Sequence, residues 1–148
     1  MMFSRIVFML LAVSSSMANA NIGTYVGYWS VNCGGFGGNI IVSDGGGVRV
    51  NVNDNNLLIS ARLKELKNGS SELFFVDVLE SRNEKINWSS ISLEKPIAKL
   101  SVNGKSLVVN WYGFFDKKKK LYIWNKQPDF ILENNGDETA MMRKCIFD

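Results

Sequence analysis

Apolar and polar residues alternate with a period of two through most of this chain, the pattern of strands that turn one face to a core and the other to water. Val48, Val50 and Val52 interleave with Arg49, Asn51 and Asn53, and Leu57, Ile59, Ala61 and Leu63 continue the pattern against Ser60, Arg62 and Lys64. Two half-buried strands follow, joined as a hairpin at Asp54-Asn55-Asn56. A further hairpin turns at Asn68-Gly69. Ala98, Leu100 and Val102 lead into Asn103-Gly104, and Leu107, Val109 and Trp111 lead out of it. Asn-Gly tolerates the positive φ angles of a two-residue type I′ turn, so this is the strongest local signal in the chain.

Further turn signals lie at Gly34-Gly35-Phe36-Gly37-Gly38, Asp44-Gly45-Gly46-Gly47 and Asn134-Asn135-Gly136. Around Trp88 the period slips, with Ile86 and Trp88 on one parity and Ile91 and Leu93 on the other. A bulge near Ser89-Ser90 would restore the inward face, and Pro96 fits a strand start or an edge. The best counter-candidate for a helix is 57–66, although no segment combines a sustained helical period with a cap at each end. The expected fold is therefore all-β: a small antiparallel β-barrel or a two-sheet sandwich of about 8–10 strands in one domain.

The first residues change the picture. Arg5 precedes the apolar run 6–13, and a Ser-rich stretch leads to Ala18-Asn19-Ala20, the form of a secretory signal peptide cleaved after Ala20. Cleavage would leave residues 21–148 as a single domain with 16 basic and 14 acidic residues. That balance does not mark a nucleic-acid binder. The leading apolar run is too short to span a membrane, for which about 20 residues are needed. The expected location is the periplasm or the extracellular space. In an oxidising compartment the only two cysteines, Cys33 and Cys145, are expected to form a disulfide that joins the two ends of the domain.

The chain has no histidine, which excludes Ser-His-Asp and Cys-His catalysis and histidine-ligated zinc sites. No two carboxylates stand out by spacing as a hydrolytic pair, and the expectation is a non-enzyme with no cofactor and no metal. Asp77 interrupts a run that is apolar on both parities and is expected on an outward, solvated face. The Gly34-Gly35-Phe36-Gly37-Gly38 loop lacks the lysine and hydroxyl residue of a phosphate-binding loop; it either holds Phe36 at an exposed tip, where a solitary aromatic can anchor a partner, or lets it fold back onto the barrel mouth.

Lys117, Lys118, Lys119 and Lys120 form the sharpest charge feature, set between two aromatic segments. Two strands joined by this basic turn would present four ammonium groups beside Phe114 and Tyr122. Such a turn can enter an acidic cleft or meet an anionic glycan or lipid head group.

Gly27-Tyr28-Trp29 resembles the Gly-x-Trp start of lipocalin-like barrels. The resemblance implies a barrel whose floor is closed by Trp29, with a ligand mouth at the opposite end. The leading functional expectation is a periplasmic protein that binds another protein, as an inhibitor or immunity factor for an envelope-acting hydrolase or toxin, through Phe36, Phe114, Lys117, Lys118, Lys119, Lys120 and Tyr122. The alternative is a lipocalin-like carrier of a small apolar ligand.

Overall fold

The computed structural model describes residues 22–82 and 85–147; the expected signal peptide and its cleavage site at Ala20 lie outside them. The alternating segments become strands β1 (Gly27–Ser30), β2 (Asn39–Val42), β3 (Gly47–Asn53), β4 (Leu57–Glu65), β5 (Ser71–Ser81), β6 (Ala98–Asn103) and β7 (Ser106–Trp111). A short hairpin, β8 (Phe114–Asp116) with β9 (Leu121–Ile123), and a one-turn helix α1 (Asp129–Leu132) precede the last strand, β10 (Thr139–Cys145). Eight strands close into an antiparallel barrel in the order β1-β10-β7-β6-β5-β4-β3-β2, while β8 and β9 pair only with each other. The choice between barrel and sandwich is settled by β10, which returns to pair with both β7 and β1 and removes the last free edges between first and last strand.

The inward parity is the one the sequence marks. Val48, Val50 and Val52 on β3 and Leu57, Ile59 and Ala61 on β4 are buried, as are Leu100, Leu107 and Val109. They pack with Trp29, Ile40 and Met142 into one continuous core. The interior is therefore filled by side chains, as the bore of an eight-stranded barrel allows.

Cys33 and Cys145 are bonded, with a Cα separation of 5.5 Å. Since Tyr28 pairs with Cys145, the bridge ties the chain just beyond β1 to the end of β10, beside the seam where the barrel closes.

Two expectations change. Residues 57–66 do not form a helix, because β4 is paired along its length with β3 on one side and β5 on the other. The parity slip after Trp88 is not a bulge in a strand. It is a 3₁₀ turn, Trp88–Ser90, in which Ile91 N–H donates to the Trp88 carbonyl. A turn of three residues brings Ile91 to the same side as Trp88, which accounts for the change of period.

Alternate strands run in opposite directions, so the connections divide between two ends. The turns after β2, β4 and β6 are tight. The connections after β1, β5 and β7, at 31–38, 82–97 and 112–138, emerge together at the other end beside the β3–β4 turn. Tyr25 closes the tight-turn end: its hydroxyl donates to the carbonyls of Gly69 (2.9 Å) and Leu100 (3.3 Å), and its own carbonyl accepts the Trp29 indole N–H (2.8 Å). An aromatic ladder closes the loop end. Phe75, Trp88, Phe114, Trp111 and Phe130 follow one another at ring-centroid distances of 5.3–5.8 Å, mostly edge to face.

Candidate functional site

The loop end carries both features that the sequence singles out, and each is built on a buried support. After β1 the chain passes through 31–38 with Phe36 at its tip, 78% exposed. The backbone beside it is fixed. Gly37 N–H donates to Asp54 Oδ2 (2.8 Å), Asp54 N–H donates to Asp129 Oδ2 (2.7 Å), and Asn51 Nδ2 donates to Asp54 Oδ1 (2.6 Å). Asn53 Nδ2 then reaches Asp129 Oδ1 (3.0 Å) and the Gln127 carbonyl (2.8 Å).

Three segments remote in sequence are thus laced together by two carboxylates that accept charge-assisted hydrogen bonds. Gly38 makes the close approach possible. Its φ is +81°, and a Cβ there would lie 2.7 Å from the Asn51 carbonyl oxygen and 3.0 Å from the Phe130 ring.

Phe36, Gly37, Asp54, Asp129, Leu132 and Glu133 line a shallow depression of about 480 Å³. Leu132, at the end of α1, is 60% exposed and forms its second apolar rim. The depression is apolar at two points and fringed by carboxylates.

The second feature is the β8–β9 hairpin. Asp116, buried at the end of β8, accepts the Lys118 and Lys119 amides on Oδ1 (2.9 and 3.1 Å) and the Lys120 amide on its carbonyl (2.8 Å). Lys117 N–H donates to the Ser90 carbonyl (2.9 Å). The backbone of the turn is held from beneath while Lys117, Lys118, Lys119 and Lys120 are all exposed. Lys120 adopts a φ of +56° to close it. Tyr122 is half-buried, its hydroxyl donating to the Pro96 carbonyl (2.9 Å) and its ring packed edge-on against Phe115 at 5.3 Å. Lys95 Nζ lies 4.7 Å from the centre of the Phe115 ring.

Tyr112 and Tyr122 sit side by side here, with ring centroids 6.1 Å apart. Partial burial pushes both phenols above their ordinary value of 10.0, with the charge of Glu72 adding to the effect on each and Tyr112 itself adding to that on Tyr122.

The residues expected to contact a partner separate into three groups. Phe36 and the four lysines are at the surface. Tyr122 shows part of its ring and uses its hydroxyl to hold the hairpin. Phe114 is a correction: it is 0% exposed and packs against Phe75, Trp88 and Trp111, so it anchors the hairpin to the core and no partner can reach it in this fold. The hairpin's geometry imposes this parity, since Phe114 and Asp116 face inward and Phe115 does not.

Asp77 is exposed on an outward position, where its carboxylate accepts the Val78 amide (2.8 Å). Sequence reasoning missed Leu132 and Glu133, because a four-residue helix carries no period. It also placed Asp54 in a hairpin turn without seeing that its amide donates to the Asp129 carboxylate across 75 positions. Among the described residues no helix is long and apolar enough to cross a membrane.

Comparison with known proteins places no label on this arrangement: no family model, no curated protein and no solved structure matches the chain.

Proposed function

We propose that this is a periplasmic or secreted protein that acts by protein–protein contact, as an inhibitor or immunity factor for an envelope-acting hydrolase or toxin, with the loop end of the barrel as its contacting face. The observation that carries the reading is Phe36: a large apolar side chain mostly exposed to water beside a backbone pinned by the Asp54–Asp129 network. A backbone already held in place beside an exposed aromatic limits the conformational entropy lost on binding to that of the side chain, which favours its use as an interface anchor. Blocking an enzyme requires no catalytic group of the inhibitor's own, and it suits a rigid scaffold that projects loops.

The two features ask for different chemistry in the partner. The Phe36 depression, fringed by Asp54, Asp129 and Glu133, suits an apolar recess edged by basic groups. The Lys117, Lys118, Lys119 and Lys120 turn suits an acidic cleft, and an anionic glycan or lipid head group would satisfy it by the same charge. The alternative of an apolar ligand carried inside the barrel finds little support, since Trp29 and Trp111 are buried in one continuous core of side chains.

The test immobilises the oxidised protein and exposes it to envelope extract beside Phe36→Ala and Leu132→Ala variants. A protein enriched by the parent and lost from both variants is then purified, and its hydrolytic or toxic activity is measured as the barrel protein is added. Enrichment that is indifferent to both substitutions, or a purified partner whose activity is unchanged at saturation, would overturn the reading.

A further inference from the structure

A second depression lies on the outside of the barrel wall and reaches the β3–β4 turn, so that Asn51 and Asn53 line it while also holding the Asp54–Asp129 network. The register aligns its residues in two rows. Tyr28 pairs with Ile41 and Ile41 with Arg49, while Asn39 pairs with Asn51, Asn51 with Leu58 and Leu58 with Glu80. All have the outward parity of their strands. The register shifts between Asn51 and Asn53 on β3 and between Leu58 and Ile59 on β4, and irregularities of this kind bend strands and re-aim side chains. The resulting groove has a volume of about 360 Å³, within the range of small-molecule sites.

The chemistry of the lining is specific. Arg49 offers only donors and Glu80 only acceptors, and neither side chain forms an ion pair or hydrogen bond with a described residue. The side-chain amides of Asn39, Asn55 and Asn56 line the same groove, each with a donor and an acceptor on one short arm and no partner among the described residues. Tyr28, Ile41 and Leu58 supply half-buried apolar surface between them. The Tyr28 ring is set by an edge-on contact with Phe147 at 5.0 Å.

We infer that this groove binds a neutral saccharide. One positive and one negative side chain cancel, so neither an anion nor a cation is favoured over a neutral ligand. A polyol ring offers hydroxyls that donate and accept at once, which matches a lining of amides with Arg49 and Glu80, and its C–H faces fit the apolar strip at Tyr28. A peptide strand is a poorer match: it binds by adding to a sheet edge, and the backbones of β2, β3 and β4 beneath the groove are already paired on both sides.

The experiment titrates isotope-labelled full-length oxidised protein with maltotriose, cellotriose and the trimer of N-acetylglucosamine, and with sialyllactose as an anionic control. Amide shifts are followed by NMR. At least one neutral trisaccharide is expected to shift the amides of Tyr28, Asn39, Arg49 and 51–58, with binding weakened about tenfold in Arg49→Ala and in Glu80→Gln. Both positions are on the outer face, so the variants should fold. Phe36→Ala should bind sugar as the parent does, which separates this site from the proposed protein interface. No shift with any neutral sugar at about 10 mM, equal binding of sialyllactose, or binding that survives both substitutions would overturn the assignment.

Discussion

The two ends of this barrel are closed by different means. At the tight-turn end one tyrosine satisfies two backbone carbonyls, 44 and 75 positions away, and is locked by the Trp29 indole; the closure is polar and rests on one side chain. At the loop end five aromatic rings drawn from β5, the Trp88 turn, β7, β8 and α1 pack edge to face across the opening. That closure is apolar and shared among several side chains. The difference teaches where surface variation is permitted. At the loop end the same connections do both jobs: 112–138 buries Phe114 and Phe130 in the plug while the turn between β8 and β9 leaves four lysines exposed, so the surface of a connection can vary where its anchoring rings are kept.

The largest expected effect comes from cutting the ladder. Phe114→Ala should destabilise the protein by about 3–5 kcal/mol, read as a shift in the denaturant midpoint. A loss below about 1 kcal/mol would mean that the aromatic stack does not hold this end together.

Reduction of the Cys33–Cys145 bond should lower stability by about 2–5 kcal/mol, because it releases a loop spanning nearly the whole described chain. Unfolding curves with and without reductant measure it, and unchanged curves would remove the bridge from the account of how the seam is kept shut.

At the opposite end the effect should be smaller. Tyr25→Phe removes the donor for the Gly69 and Leu100 carbonyls at a cost of about 1–2 kcal/mol. It should leave capture of a partner at the loop end unaltered, so a coupled loss of binding would contradict the independence of the two closures.

Phe36→Ala should change stability by less than about 0.5 kcal/mol, since the side chain packs against little. A greater change would place Phe36 among the structural residues and weaken its reading as an anchor.

The least effect is expected from alkali. The neutral phenols of Tyr112 and Tyr122 are favoured in the folded state, so their contribution is present in full below the ordinary tyrosine value of 10.0 and is lost as pH rises through the raised values. Phenolate absorbance followed against pH should show late titration in the parent and less of it in Tyr122→Phe. Titration at the ordinary value in both proteins would show that the hairpin does not shelter these rings.

The strand positions were legible because alternation is a local property. Each of β3, β4, β6 and β7 carries its inward face in its own residues, and Asn103-Gly104 carries its turn. The slip at Trp88 was visible as well, but period alone cannot distinguish a bulge from a 3₁₀ turn. The exposure of the lysines followed from charge, whereas the glycines around Phe36 allowed either an exposed tip or a ring folded back onto the barrel mouth, and the fold chose the tip. What could not be read was the partnership of Asp54 with Asp129, or the fate of Phe114, whose neighbours Tyr112 and Phe115 look equally suited to burial.

By itself, then, the sequence determined an all-β chain, its strand parities, its turns and its cysteine pair, since these depend on neighbours two to four residues apart or on there being a single possible pairing. Only the tertiary structure decided that the strands close as a barrel, that long connections gather at one end, and that Phe114 is a floor while Phe36 is a tip. The physical reason is that closure and burial depend on which remote segments meet: β10 chooses the seam, α1 and the Trp88 turn choose the plug, and no local period encodes either choice.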